Sequence, residues 1–439
     1  MSEPPRGLAF MVRALRHRNY RLFFGGQIVS LCGTWMTNIA TGWLVYRLTG
    51  SPLMLGVVTF AGQIPVFLLA PFAGLLVDRV DKRRGLIATQ VLSMLQSFAL
   101  AALTLTGHAS AAGIAVLSLF QGAITAFDIP MRQSFLVDMI EDRADLGNAI
   151  ALNSSMFNVA RLAGPAIGAA VIAAVGEGWC FFADGCSFVG VIASFLLMDI
   201  RPRAAGTPGQ SVLRGLREGW LAVSRPGPIR RIISLLAVVS LLGAPYATLL
   251  PVFARTVLAG DAQTLGILMS SSGAGALLAA AWLAGRRSVL GLGKLIPYAA
   301  GLFGLGVIGF ALSGALWLSA AFLFACGCGL MVQLAASNTI LQTIVEDEKR
   351  GRVMAFYMMA FLGTAPFGSL LVGKLSEIFG PRPTVALGGA CCVVAAAVFL
   401  AGLRELRASI APIYRRIGIL PQAASATDEA TRLTFEARD

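Results

Sequence analysis

Of the 35 basic residues in this 439-residue chain, one sits where a charge is hardest to keep. Arg161 lies about thirteen residues into a long apolar run, so a helix through it places the guanidinium roughly 20 Å along the helix axis. In hydrocarbon such a charge costs several kcal/mol unless it faces a polar cavity or a partner. Two uses follow. Arg161 could line a cavity and bind an anionic group on a cargo, or it could be a structural arginine tied to backbone carbonyls and to amides such as Asn153 or Asn158.

No carboxylate matches that depth. Asp128 stands near the end of its apolar run and Asp184 near the start of another, and these two are the candidate proton-coupling groups. Both histidines, His17 and His108, fall outside the runs. Polar and aromatic residues scattered through the runs are candidate cargo contacts: Trp35, Asn38, Gln121, Asn153, Asn158, Tyr246, Gln333, Asn338 and Tyr357. Together with Arg161 they describe a broad, mostly apolar pocket with few fixed polar points, suited to amphipathic molecules more than to sugars or ions. The seven cysteines form no CxxC pair and read as soft packing residues. No His/Cys/Asp cluster has metal spacing and no GxxxxGK[ST] loop exists, so no metal, cofactor, catalysis or direct ATP drive is expected.

The elements that must position these residues are long. Hydrophobic residues make up 56% of the chain and charged ones 13%, with a mean hydropathy of +0.76. A soluble domain carries about 25% charged residues, so this chain must take lipid as its solvent. Apolar runs predict spanning helices over 20–46, 53–77, 86–107, 111–130, 148–175, 180–199, 229–253, 264–284, 294–313, 315–341, 352–376 and 383–403. Runs of this length satisfy their backbone internally as helices and are unlike the alternating segments of about ten residues that barrels use. The basic head leads straight into the first run, which makes that run itself the targeting element.

The net charge of +13 is divided between loops rather than gathered on a nucleic-acid face. Thirty Lys and Arg residues fall on one side of the twelve-span layout and three, Arg47, Arg255 and Arg382, on the other. The positive-inside rule puts both termini in the cytoplasm. The polar stretch 200–228 divides six spans from six. The domain reading is therefore a head (1–19), a six-helix bundle (20–199), a linker (200–228), a second six-helix bundle (229–405) and a polar, mobile tail (406–439). Two echoes fit a repeat. Ile140-Glu141-Asp142 resembles Val345-Glu346-Asp347, and Gly164-Pro165-Ala166-Ile167-Gly168 resembles Ala365-Pro366-Phe367-Gly368.

The loop between spans two and three reads Gly74-Leu75-Leu76-Val77-Asp78-Arg79-Val80-Asp81-Lys82-Arg83-Arg84-Gly85-Leu86. It resembles the GxLaDrxGrrxxL loop of the major facilitator superfamily, with Asp81 where the family usually has Gly. The resemblance implies a two-bundle fold in which spans one, four, seven and ten meet at the centre. It also implies a gating network of Gly74, Asp78, Arg79, Lys82, Arg83, Asp128 and Arg132. Asp128 with Arg132 is equally an i,i+4 pair within one helix. Gly164-Pro165-x-x-Gly168 resembles part of the GPxxGG motif of superfamily antiporters, although the ladder Ala160, Gly164, Gly168 equally reads as close helix packing. Pro245, Pro366 and Gly368 mark bends or close packing in the second half. Arg18-Asn19-Tyr20-Arg21-Leu22-Phe23, Tyr46-Arg47-Leu48-Thr49-Gly50-Ser51-Pro52 and Ala160-Arg161-Leu162-Ala163-Gly164-Pro165 look like the enterobactin-exporter-like branch.

The combined expectation is an all-α integral membrane protein of twelve helices in two six-helix bundles, with alternating access. It is expected to export a siderophore-like or drug-like amphipathic molecule across the bacterial inner membrane by proton antiport, as a monomer without nucleic-acid partners. A same-fold importer or lysophospholipid flippase, and a non-transporting receptor or scaffold, are the alternatives.

Overall fold

The computed structural model describes residues 12–77, 80–199, 221, 223–224, 227–286, 288–417 and 419. Within them are 12 helices long and apolar enough to cross a membrane. We label them α1 (Arg18–Thr49), α2 (Pro52–Val77), α3 (Lys82–Leu105), α4 (Ala111–Asp138), α5 (Leu146–Val175), α6 (Glu177–Leu197), α7 (Pro228–Val257), α8 (Ala262–Ala284), α9 (Leu292–Leu312), α10 (Leu316–Ile344), α11 (Lys349–Phe379) and α12 (Pro381–Ala401). A thirteenth helix, α13 (Leu403–Arg416), follows. Asp78, Arg79 and nearly all of the 200–228 linker lie outside the described residues, as does the side-chain environment of Gly74.

Local chemistry sets the helix ends. Asp81, the departure from the family loop, is the N-cap of α3: its Oδ1 accepts from the Arg84 backbone N–H at 3.1 Å. Such a cap satisfies a donor that glycine would leave to water. Asp81→Ala is expected to cost about 1 kcal/mol and to lower the thermal midpoint by at most about 2 °C. Asp81→Asn should restore it in the same melt. Helix α4 runs past the expected end at residue 130, through Pro130, to Asp138. The extra turns bury Met131, Phe135 and Leu136 with Phe23, Leu86 and Phe195, and this packing outweighs the bond that proline removes. The first part of the expected tail is also helical. In α13, Leu403, Leu406, Ile410 and Tyr414 recur every three to four residues and are buried.

The helices divide into two bundles. Helices α1, α3, α5 and α6 pack together with α2 against α4, and α8, α9, α10 and α12 pack together with α7 and α11. The two halves repeat one another in a way the sequence showed only faintly. The α5–α6 turn pivots on Gly176 at φ +92° and the α11–α12 turn on Gly380 at φ +86°, a region that favours glycine. Gly164 and Gly168 of α5 lie against Trp35, Met36 and Ile39 of α1, while Gly368 of α11 lies against Leu241 and Pro245 of α7. The ladder is thus a packing surface within the first bundle. Pro245 sits in a 3₁₀ stretch (Ala244–Leu249) flanked by two π turns, and Pro366 follows a π turn (Met359–Gly363). These widened turns absorb the missing proline N–H groups and bend both helices.

Two seams join the bundles, α2 with α11 and α5 with α8. Their contacts gather toward the sparsely charged face. Ser51 Oγ donates to Glu377 Oε1 at 2.6 Å. Gly56 abuts the backbone of Ser369 and Leu370, and Gly373 abuts Pro52 and Leu53; beside the seams, Gly42 of α1 meets Pro251 of α7. The seams reach inward to Phe67 beside Gly363 and to Gly273 beside the Arg161 backbone. Beyond that depth the helical stretch Asp347–Met358, which leads into and forms the basic-face part of α11, packs against α7 and α10 of its own bundle. Among the described residues, the contacts between the bundles are thus concentrated toward the sparsely charged face.

Candidate functional site

A contact deep in the α5–α8 seam frames the site. Gly273 of α8 lets α5 approach so closely that an added Cβ would meet the Arg161 carbonyl oxygen at 2.9 Å, and Ser270 Oγ donates to the Leu162 carbonyl at 2.9 Å. That close packing fixes the α5 backbone where Arg161 projects. The guanidinium carbon stands 6.0 Å from the centroid of the Trp35 ring, at the reach of a cation–π contact. Trp35 is held in turn by Phe157, edge-on at 5.9 Å, and by Gly164 beneath it. In the second bundle, the Tyr246 hydroxyl shares a hydrogen bond at 3.2 Å with the Oγ of Ser272, the neighbour of Gly273 at this contact.

Among the described residues, no hydrogen bond or ion pair satisfies the Arg161 guanidinium. The amide of Asn158 is turned back to the Ser154 carbonyl at 2.9 Å, so it does not tether the arginine. A half-buried, unpaired cation beside a tryptophan face, between two bundles, can accept a carboxylate, phosphate or catecholate together with an attached apolar group.

The structure brings Trp35 and Arg161 together and ties Tyr246 to Ser272 next to Gly273, while the other candidates that form hydrogen bonds do so within their own bundle. Gln121 donates to Ser93 Oγ at 3.2 Å, inside the α3–α4 packing. Gln333 is fully buried with both amide atoms unpartnered. The Tyr357 hydroxyl donates to the Leu334 carbonyl at 3.0 Å. Asn338 accepts from Gln342 one turn away at 2.7 Å. Asn38 is exposed and Asn153 half-buried.

The two acids occupy different surroundings. Asp184 is seven residues into α6, about 10 Å along its axis, and thus deeper than a helix starting at 180 would put it. It is buried within the first bundle, and its Oδ2 accepts from Thr37 Oγ1 at 2.8 Å and Ser97 Oγ at 3.0 Å. Its Oδ1 is buried without a partner, facing the bare backbone of Gly33. Thr37 is two residues from Trp35 on α1. Asp128 pairs with Arg132 at 2.6 Å and accepts from Thr89 at 2.9 Å and Gln90 at 2.8 Å, all in α3 and α4.

Lys82 and Arg83 of the loop are engaged in the first bundle. Lys82 Nζ meets Asp138 at 3.2 Å. Arg83 donates to the carbonyls of Phe195 and Leu196, each at 2.8 Å, closing the C-terminal end of α6. Arg47 is held at the opposite face. It pairs with Glu177 at 2.9 Å. Sequence reasoning missed Thr37, Ser97, Asp138, Glu177 and Glu377, because each acquires its role from a helix distant in sequence.

The chain as a whole has known counterparts. The transmembrane secretion effector family profile matches residues 11–413. The chain is 27% identical over 393 residues to the staphyloferrin A transporter of Staphylococcus aureus, covering 88% of this chain and 97% of that one. It is 27% identical over 401 residues to the multidrug efflux pump Tap of Mycolicibacterium fortuitum, covering 85% and 93%. With macrolide efflux protein A of Streptococcus pyogenes it shares 22% identity over 89% of this chain and 98% of that one. Among solved structures, a bacterial homolog of the human lysosomal transporter Spinster superposes with TM-score 0.67 at 15% identity, over 90% of this chain and 98% of that one. The nucleoside transporter NupG does so with TM-score 0.68 at 15% identity, over 87% and 98%. Both carry the major facilitator fold.

Proposed function

Because the chain belongs to the transmembrane secretion effector family and is a major facilitator transporter rather than an enzyme, we propose that it exports a small anionic amphipathic molecule across the bacterial inner membrane by proton antiport. The observation that carries this reading is the unpaired Arg161 beside Trp35 in the space between the bundles. The multidrug and macrolide efflux relatives support the direction, and the staphyloferrin A transporter supports a siderophore-like cargo. The basic face is the cytoplasmic face, with both termini on it, by the positive-inside rule. Cargo enters from the cytoplasm when the bundles part at the basic face, and the two bundles then rock to open the opposite face. The chain works as a monomer. The loop of Gly74, Asp78, Arg79, Lys82 and Arg83, with Asp128 and Arg132, is the gating network that locks the two halves together when the carrier faces outward; its described members Lys82, Arg83, Asp128 and Arg132 bond within the first bundle here.

Asp184 supplies the proton site. A buried carboxylate with two hydroxyl donors and one free oxygen can hold a proton or release it without breaking an ion pair. Asp128, paired with Arg132, lacks that freedom. Asp184→Asn is expected to abolish accumulation driven by a proton gradient while leaving cargo exchange across an undriven membrane intact, measured in proteoliposomes. Loss of both activities would assign Asp184 to folding alone.

The function itself is tested in everted membrane vesicles with an acid interior. Expected is accumulation of an anionic amphipathic dye such as carboxyfluorescein. Accumulation confined to right-side-out vesicles would make the protein an importer.

A further inference from the structure

Helix α13 and the loop preceding α9 enclose a second cavity, away from the central site. It has a volume of about 360 Å³, and Leu290, Ile340, Leu406, Ile410 and Ala411 are among its lining residues. Lys294 and Arg407 stand at its rim. Both are exposed, and among the described residues neither has an ion pair or hydrogen bond. The Tyr414 hydroxyl, also at the cavity, has no hydrogen-bond partner there either.

The cavity is built into the fold. Helix α13 buries its apolar face on the bundle and is fastened at its start by Arg231, which donates to the Gly402 carbonyl at 2.7 Å and pairs with Glu405. Arg404, Arg407, Arg415 and Arg416 remain exposed on the helix. The rim lies level with the first turn of α9, where the spanning helix enters the apolar layer.

We propose that this groove binds one anionic phospholipid of the cytoplasmic leaflet, its phosphate held by Lys294 and Arg407 and its upper acyl chain lying in the apolar floor. Two unpaired cations at the mouth of a greasy groove, at the level where headgroups lie, complement a phosphodiester joined to hydrocarbon. A free phosphate would leave the floor empty, and a zwitterionic lipid would set its own cation against Lys294 and Arg407. The assignment to the cytoplasmic leaflet rests on the orientation proposed above, whereas the site itself does not.

Native mass spectrometry of the full chain, delipidated in detergent and titrated with phosphatidylglycerol, phosphatidylcholine or inorganic phosphate, tests the proposal. Phosphatidylglycerol is expected to be retained as a single tight adduct, with phosphatidylcholine retained at least severalfold less. Lys294→Gln with Arg407→Gln should reduce phosphatidylglycerol to the phosphatidylcholine level. Ala411→Trp, which fills the floor and keeps both charges, should do the same. Arg84→Gln with Arg415→Gln, which removes as many charges elsewhere, should leave retention unchanged, and thermal melts should confirm that each variant is folded. Equal loss in both double variants would mean diffuse charge attraction and overturn the site. Displacement of the lipid by inorganic phosphate would overturn it in favour of an anion site, and no preference between the two lipids would overturn it outright. Because binding is read in detergent, a reversed topology would refute the leaflet and leave the groove standing.

Discussion

Arg161→Gln is expected to lower transport of an anionic cargo by about 10- to 100-fold, the loss of one charge-assisted contact worth roughly 1.5–3 kcal/mol. The variant should insert and fold normally, because no partner among the described residues is left unpaired when the guanidinium goes. Removal of an unpaired charge from the membrane interior favours insertion if it does anything. Arg161→Lys should keep part of the activity, since it retains the charge but loses the planar fork and its stacking on Trp35. Transport of carboxyfluorescein and of the cation ethidium, side by side in proteoliposomes, reads the effect. The anion should fail while the cation is spared or improved. Unchanged anion transport would reduce Arg161 to a structural residue.

Gly56→Val should impair transport by a different route. A Cβ at Gly56 would stand 2.6 Å from the Ser369 carbonyl oxygen and 3.2 Å from the Leu370 Cα. Both are backbone atoms and cannot swing aside. Overpacking of this kind costs about 1–3 kcal/mol. The contact belongs to the state sealed on the sparsely charged face, so that cost falls on one conformation and shifts the equilibrium by about 5- to 150-fold. Expected are turnover reduced by a similar factor and faster labelling of a cysteine placed at Ser51 from the outer side. Gly62→Ala is the control. Its added methyl would sit 3.7 Å from Ser118 within the first bundle, an ordinary contact, and should change neither reading.

The long apolar runs and the alternation of basic loops made all twelve spanning helices legible, because lipid forces each run to solve its own backbone bonding. Boundaries failed where packing outweighed a local signal. Pro130 reads as a stop, yet the turns after it carry Met131, Phe135 and Leu136 into a shared core. The helix α13 hid behind the polarity of its exposed arginines, although Leu403, Leu406, Ile410 and Tyr414 carried the helical period. At the site, Arg161 and Trp35 were legible as a deep charge and a large ring. Their meeting was not, since it depends on the glycines that let α1, α5 and α8 approach. Asp184 was visible as an acid, but its hydroxyl cradle comes from α1 and α3, some 147 and 87 residues away in sequence. Gln121 and Asn338 were visible as polar residues in apolar runs, but their partners Ser93 and Gln342 were not.

The central claim is that the two bundles exchange their seals. Spin labels placed at Ser51 and Glu377 report the sealed face, and labels at Asp138 and Ile344 report the basic face. Pulsed dipolar spectroscopy in nanodiscs, with and without carboxyfluorescein at acid and neutral pH, measures both distances at once. The account predicts opposite changes: whenever the first pair separates, the second draws together. Two distances that stay fixed under every condition, or that lengthen together, would contradict it.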